Sequence, residues 1–314
     1  MSGMHKPQYE FYNYTRAQEG LMQGLHGTLK YDEPMSRHTS WRVGGPADRF
    51  FIPADLEDLK NFLQQLPEAE PVTWIGLGSN LLVRDGGIRG TVIATKNVMS
   101  KLEHVTPVQI RAGSGIPCAK LARYTVKTGL IGAEFLIGIP GTLGGALAMN
   151  AGAYGSETWN IVEQVVTINR KGEVFTRLHT DFAIGYRSVT GPVGEWFISA
   201  LLELQPDIEQ TGNNTLSEFL ARRSQTQPMG EPSCGSVFRN PRPDMPAAKL
   251  IESCGLKGKS IGMASVSMKH ANFIINQGNA RGSDIENLIQ QVQQVVYERH
   301  GISLIPEVRM LGEE

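Results

Sequence analysis

The sequence predicts an α+β fold, and three observations carry that prediction. Helical and strand periodicities mix along the chain without the regular strand–helix alternation of a doubly wound sheet. The dinucleotide fingerprint GxGxxG is absent, because Gly76-Leu-Gly78 and Gly113-Ser-Gly115 both lack the third glycine. Glycine supplies 35 of the 314 residues, above the usual ~7% and without a collagen period, so the surplus serves backbone geometry.

Taken in order, residues 1–36 are polar, spotted with aromatics and without a clear period. Residues 39–48 are turn-forming and lead into a short strand at 49–53. An amphipathic helix follows over 55–66, with Leu56, Leu59, Phe62, Leu63 and Leu66 on one face. A strand at 72–75 ends in the glycine-bearing run 76–83. Segments 90–95 and 108–112 alternate like strands, and 116–128 reads as a helix closed by Gly129. Residues 135–156 carry no charge, but they hold six glycines, Pro140 and Asn150. A bilayer helix needs ~20 predominantly apolar residues, so this stretch reads as a glycine-rich loop and a short, tightly packed helix.

Strands at 165–169 and 173–176 flank a hairpin at 170–172, and 195–204 is a further strand. The polar segment 206–215 marks a domain boundary. Beyond it come a helix near 216–223, a loop over 224–235, and strands near 236–238, 264–267 and 272–276. Ser283 then caps the most strongly patterned helix. Its buried stripe is Ile285, Leu288, Ile289, Val292, Val295 and Val296, and Gly301 closes it.

Charge and composition exclude several classes. Thirty Lys and Arg against 31 Asp and Glu leave a net charge of −1, with no basic excess to neutralise nucleic-acid phosphates. Cys118, Cys234 and Cys254 are odd in number and lack metal spacing, which fits a reducing compartment rather than a disulfide scaffold. The seven histidines form no metal constellation. Residues 1–20 lack the apolar core and cleavage site of a signal peptide. The expectation is a soluble, cytoplasmic protein without a membrane or nucleic-acid partner.

Two familiar motifs fail on context. Gly258-Lys259-Ser260 resembles a phosphate loop, but position 253 is serine where the pattern needs glycine. Gly258 to Gly262 matches GxSxG, yet a strand pattern follows Ser260 where that motif needs a helix. Two glycine loops are more informative: Gly76-Leu-Gly-Ser-Asn-Leu-Leu, directly after a strand, and Ile137-Gly-Ile-Pro-Gly-Thr-Leu-Gly-Gly-Ala. Glycine lets backbone N–H groups approach a pyrophosphate closely. Ordinary tight turns are the competing reading.

Six motifs stand in order: Gly76-Leu-Gly-Ser-Asn-Leu-Leu-Val, Ile139-Pro-Gly-Thr-Leu-Gly-Gly-Ala, Asn150-Ala-Gly-Ala-Tyr-Gly, Gly185-Tyr-Arg-Ser, Cys234-Gly-Ser-Val-Phe-Arg-Asn-Pro and Pro306-Glu-Val-Arg. Together they resemble the UDP-N-acetylenolpyruvoylglucosamine reductase (MurB) family of bacterial cell-wall synthesis, from about His38 to Gly312. The resemblance implies the flavin fold shared with the vanillyl-alcohol oxidases, in two subdomains, plus a C-terminal α+β substrate domain. It divides the chain into an unassigned extension (1–30), an FAD-binding region (31–207), a substrate domain (208–303) and a returning C-terminal strand (304–314). Forty-eight residues separate Arg187 from Ser236, so the chain resembles the shorter type without an extra tyrosine-bearing loop.

The implied reaction reduces an enolpyruvyl ether to a lactyl ether as part of peptidoglycan precursor synthesis. NADPH serves as reducing co-substrate and FAD as a non-covalent cofactor. Arg187 matches the arginine that stabilises the enolate, Ser236 the proton donor and Glu307 the glutamate beside the substrate carboxylate. Without the motifs these three read as a solvated strand charge, a turn serine and an exposed or paired carboxylate. Tyr186, Asn240 and Arg223 match substrate contacts, with Arg222 a rival to Arg223 for the diphosphate. The FAD contacts fall on Leu77, Gly78, Ser79, Asn80, Leu81, Ile139, Pro140, Gly141, Thr142, Gly144, Gly145, Ala146, Gly152 and Ala153. Cys234 and Cys254 read as bystanders. A catalytically dead flavin module and an alcohol oxidase of the same superfamily are the competing functions. Intact catalytic positions weigh against the first, and the missing flavin-linking residue against the second.

Overall fold

The structure, a computed structural model, describes residues 22–314. The reading of residues 1–20 therefore lies outside the described residues. Four strands form the first sheet, in the order Thr28–Pro34, Pro46–Ile52, Ile88–Ala94 and Val72–Ile75. The first pair is antiparallel and the other two pairings are parallel. Helix α1 (Leu56–Gln65) starts at Asp55, whose carboxylate accepts from the Asp58 N–H at 2.9 Å. Its apolar face meets Phe51, whose ring stacks on Phe62 with centroids 3.9 Å apart. The same core reaches Ile168 and Ile198 of the second sheet.

That second sheet has five antiparallel strands, in the order Val174–Leu178, Val162–Asn169, Glu195–Glu203, Gln109–Gly113 and Leu102–Thr106. Helices α2 (Cys118–Lys127) and α3 (Leu143–Met149) share a core with it, through Leu121, Leu143, Leu147 and Leu202 among others. The uncharged stretch 135–156 is a 3-10 turn, a loop and α3, as its glycines and proline predict. Among the described residues, no helix is long and apolar enough to cross a membrane.

The C-terminal portion builds another core. Helices α5 (Ala247–Ser253) and α6 (Gly282–His300) pack with a three-stranded sheet of Ser260–Ile261, Ala264–Val266 and Ile274–Asn276. The predicted stripe of α6 is buried at Ile285, Leu288, Ile289, Val292 and Val296, with Val295 partly buried. Trp41 crosses from the N-terminal part into this core. Its indole N–H donates to the Ile274 carbonyl at 2.7 Å, and the Asn276 amide donates back to the Trp41 carbonyl at 2.8 Å. The strand Arg309–Leu311 then returns and pairs in parallel with Leu81–Val83.

Four local expectations differ from what is observed. Ser283 does not cap α6, which begins at Gly282. The Asp85 carboxylate, far away in sequence, accepts from the Gly282 and Ser283 N–H groups at 2.8 and 3.1 Å. Helix α4 (Gly212–Thr226) takes the last four residues of the segment read as a polar boundary, because Asp207 accepts from the N–H groups of Thr211 and Gly212 and so starts it early. Segment 236–238 makes only an isolated bridge between Phe238 and Pro306. Strand Thr28–Pro34 was without a readable period because its exposed and buried positions do not alternate.

Candidate active site

The first glycine loop follows the strand Val72–Ile75 and turns back at Gly78, where φ is +63°. A Cβ there would overlap the His38 carbonyl oxygen and lie 2.9 Å from its carbon, so only glycine fits. The N–H groups of Leu77, Gly78, Ser79 and Asn80 donate to no protein acceptor among the described residues. The second loop stands against the first: a Cβ on Gly141 would be 3.3 Å from Ser79 Oγ. Its amides are mostly committed. Gly141 donates to Ile139, Leu143 to Ile116 and Gly144 to Ser114, at 2.8–2.9 Å. Thr142 caps α3, its hydroxyl accepting from Gly145 at 3.4 Å.

A cleft of about 760 Å³ opens beside these loops. It brings together Ser79, Asn80, Ile139, Pro140, Gly152, Ala153, Tyr186, Arg187, Arg223, Ser236, Asn240 and Glu307. Leu77, Gly78, Leu81, Gly141, Thr142, Gly144, Gly145 and Ala146 do not line it. Gly144 packs against Ser114, and Ala146 is buried in the core.

Arg187 sits at the tip of a hairpin between strands Ala183–Gly185 and Ser188–Thr190, with φ at +52°. Its Nη2 donates to the Gly152 carbonyl at 2.8 Å and its Nη1 to the Asn150 carbonyl at 3.3 Å. Both terminal nitrogens are thus anchored, and the buried Nε–H makes no hydrogen bond. Glu307 Oε1 lies 3.2 Å from that Nε, a charge contact out of hydrogen-bonding line. The guanidinium carbon also lies 5.1 Å from the centroid of the exposed Tyr186 ring.

Glu307 is held by its backbone. Its N–H donates to the Val237 carbonyl at 2.7 Å, and the Asn80 amide donates to its carbonyl at 3.1 Å. Burial pushes its carboxyl above the ordinary glutamate range, against the opposing pull of Arg187 and Arg239. Ser236 precedes Val237 in the same segment. Asn272 clamps that segment: its Oδ1 accepts from the Phe238 N–H at 2.9 Å, and its Nδ2 donates to the Phe238 carbonyl at 2.8 Å. Ser236 Oγ has no protein partner among the described residues and faces the cleft's lining set.

On the far wall, Arg223 donates to the Ile137 carbonyl at 3.3 Å and to Gln227 at 3.2 Å. Burial lowers its affinity for a proton. Its rival Arg222 lies over the Tyr154 ring at 5.9 Å, and both arginines line the cleft. Asn240 spends its Oδ1 on the first N–H of α5, Ala247, at 3.0 Å, which leaves its Nδ2 for a ligand. Cys234 also lines the cleft; its thiol contacts the Leu81 carbonyl at 3.5 Å, and burial pushes it up to about 12. The sequence motifs include Asn150 without giving it a role and do not include Asn272, Glu157 or His270. Among the described residues, no group of three or more His, Cys, Asp or Glu could hold a metal ion.

Comparisons with known proteins agree on this architecture. Residues 47–177 match an FAD binding domain, and 227–311 match the C-terminal domain of UDP-N-acetylenolpyruvoylglucosamine reductase. The pairing defines an FAD-binding reductase. A relative from Methylococcus capsulatus, named UDP-N-acetylenolpyruvoylglucosamine reductase, is 57% identical across 91% of this chain and 94% of its own. One of the same name from Legionella pneumophila is 52% identical across 91% of this chain and 93% of its own. The crystal structure of the enzyme from Thermus caldophilus superposes with a TM-score of 0.79 at 29% identity, covering 92% of this chain and all of that one. The chain belongs to the UDP-N-acetylenolpyruvoylglucosamine reductase (MurB) family.

Proposed function

We infer that the protein is the NADPH-dependent, FAD-containing reductase that converts the enolpyruvyl ether of UDP-N-acetylglucosamine to UDP-N-acetylmuramate. One observation carries the reading beyond family membership. Arg187, Ser236 and Glu307 come from three distant stretches of chain and line one cleft, beside a glycine loop with four uncommitted amides. Those amides, on Leu77 to Asn80, fit the diphosphate of FAD, because they are oriented by a positive-φ glycine and compete with no internal acceptor. When bound, FAD supplies the hydride that it takes from NADPH.

The chain's own residues handle charge and proton. Negative charge builds on the carboxylate side of the substrate as its β-carbon is reduced. Arg187 meets that charge with a guanidinium already fixed by two backbone carbonyls, so little reorganisation is needed. Nη1 and Nη2 each spend one N–H on those carbonyls and keep a second for the oxyanion, while the buried Nε faces Glu307. Ser236 Oγ supplies the proton to the α-carbon. A serine is a weak acid, so a neighbouring proton source helps. Glu307, raised by burial, holds its proton to higher pH than an exposed glutamate and polarises the same carboxylate. Arg223 or Arg222 would face the diphosphate, and Tyr186 and the Asn240 Nδ2 would contact the sugar nucleotide.

We also propose the division at 31–207, 208–303 and 304–314. A core drawn mostly from residues 234–308 and another from residues 110–204 support it, although Leu216 of α4 packs in the earlier core and Trp41, Val43 and Leu82 in the later one. A cytoplasmic location accords with the nucleotide substrate and cofactor. NADPH oxidation that depends strictly on the enolpyruvyl sugar tests the activity. Consumption without the sugar, or none with it, defeats the reading. Acid should release free FAD into the supernatant; flavin retained on the precipitate would show a covalent link instead.

A further inference from the structure

We propose that Asn150 is a positioning residue for Arg187, tying the arginine's hairpin, its guanidinium and its neighbouring carboxylate to one buried carboxamide. The proposal rests on the reading of Arg187 given above. Asn150 ends α3 in the left-handed region, with φ at +47°, and is 1% exposed. Asparagine tolerates that conformation better than most residues, which would account for its backbone alone. Its side chain does more, because two of its three hydrogen bonds go to groups beside Arg187. Nδ2 donates to the Glu157 carboxylate at 2.7 Å and to the Gly185 carbonyl at 3.1 Å. Oδ1 accepts from the Trp159 N–H at 3.1 Å.

The two partners of Nδ2 bear on the arginine, and so does the Asn150 backbone. Gly185 ends the strand that carries Tyr186 and Arg187 to the hairpin tip. Glu157 has its other oxygen 3.9 Å from Arg187 Nη1. The Asn150 carbonyl itself accepts from that Nη1. The hairpin pairs three residues with three and forms its own two-stranded sheet. Isolated two-stranded hairpins are marginal in water, and most of this one is exposed. The side chain of Arg187, 17% exposed, is nevertheless well buried. Ile184 and Val189 pack the hairpin's one apolar face onto the core, and among the described residues the Asn150 carboxamide is the side chain from outside the hairpin that hydrogen-bonds its backbone, one residue before Tyr186.

A double-mutant cycle tests this in the flavin-loaded protein. Asn150→Gly keeps the left-handed backbone and removes the carboxamide. Misplacing a catalytic group by about 1 Å can cost about 10²-fold. Flavin reoxidation by the enolpyruvyl sugar should slow 10- to 100-fold in Asn150→Gly. In an Arg187→Ala background the same change should cost less than threefold, because the group it positions is gone. Calorimetric affinity for the lactyl-ether product should show the same non-additivity, without any turnover. Equal losses in both backgrounds, or no loss in the single variant, would overturn the proposal. If Asn150→Gly does not retain flavin, Asn150→Asp enters the same cycle; it keeps size and acceptor but sets a carboxylate against Glu157 and Gly185. Loss of flavin in both would make Asn150 a folding residue and also defeat the proposal. A wild-type protein that never turns over the sugar would instead defeat the functional reading.

Discussion

Gly78→Ala tests the first glycine loop, proposed above to hold the flavin diphosphate. The left-handed backbone at φ +63° costs an alanine about 1–2 kcal/mol. The new Cβ would also overlap the His38 carbonyl, with Thr39 Cα at 3.0 Å. Those atoms cannot easily give way. The Ser40 N–H is bonded to the Gly78 carbonyl at 3.1 Å, and Trp41 is pinned in the other core by its indole. Overpacking of this kind costs about 1–3 kcal/mol more, for about 2–5 kcal/mol in all. If the loop relaxes in the flavin-free protein, the strain returns on binding. FAD affinity then falls roughly 30-fold to a few thousandfold. If it cannot relax, the same energy is lost from stability. The assay is therefore paired: FAD dissociation by fluorescence and thermal unfolding of the flavin-free protein. Gly194→Ala, outside the cleft, is the control, since its φ is +76° and no described atom lies within 4 Å of a Cβ, so only the dihedral cost applies. Unchanged affinity together with unchanged stability in Gly78→Ala refutes the account of this loop.

Three further outcomes are expected. Ser236→Ala leaves flavin reduction by NADPH intact but slows reoxidation by about 10²–10⁴-fold, and stopped-flow absorbance at the oxidised flavin band checks this; equal slowing of both phases removes Ser236 from proton delivery. Arg187→Lys, which keeps the charge but loses the planar set of donors, drops turnover by about 10²–10³-fold, measured as kcat under saturating substrate; a variant within threefold contradicts the role. Burial raises the Glu307 carboxyl above its unfolded value, so its favourable contribution is complete below the unfolded pKa and is lost as pH rises through the folded one. The melting temperature of Glu307→Gln minus that of wild type should therefore rise as pH goes from 4 to 8, and a difference that falls instead reverses the sign.

Local pattern made much of the framework legible. The faces of α1, α2 and α6 follow their apolar spacing, and the Gly129 and Gly301 stops fall where the helices end. What stayed hidden depends on distant partners. The N-terminus of α6 is satisfied by Asp85, not by the serine beside it. The hairpin around Arg187 is too short to show a period. At the site, ordered motifs identify Arg187, Ser236 and Glu307 as candidates. Asn272 escapes such a reading, and Asn150 stands in a motif without a role, because a buried amide reveals its value only through contacts to Gly185 and Phe238 that the fold creates.

The parallel pairing of Arg309–Leu311 with Leu81–Val83 makes a short piece of chain into a ruler. Arg309 sits opposite Leu81, and its N–H bonds the Asn80 carbonyl at 3.0 Å. Glu307 is two residues upstream, and the flavin loop ends immediately before Leu81. The separation between carboxylate and loop is therefore counted in residues. One residue inserted after Glu307 would turn its side chain to the opposite face or shift the whole strand register. The turn at 170–172, on the sheet's edge hairpin, touches the Pro67 carbonyl and α1 and does not line the cleft. Length variation among related chains should thus accumulate at the edge hairpin and be shut out between Glu307 and Arg309, even where the intervening Val308 varies in kind.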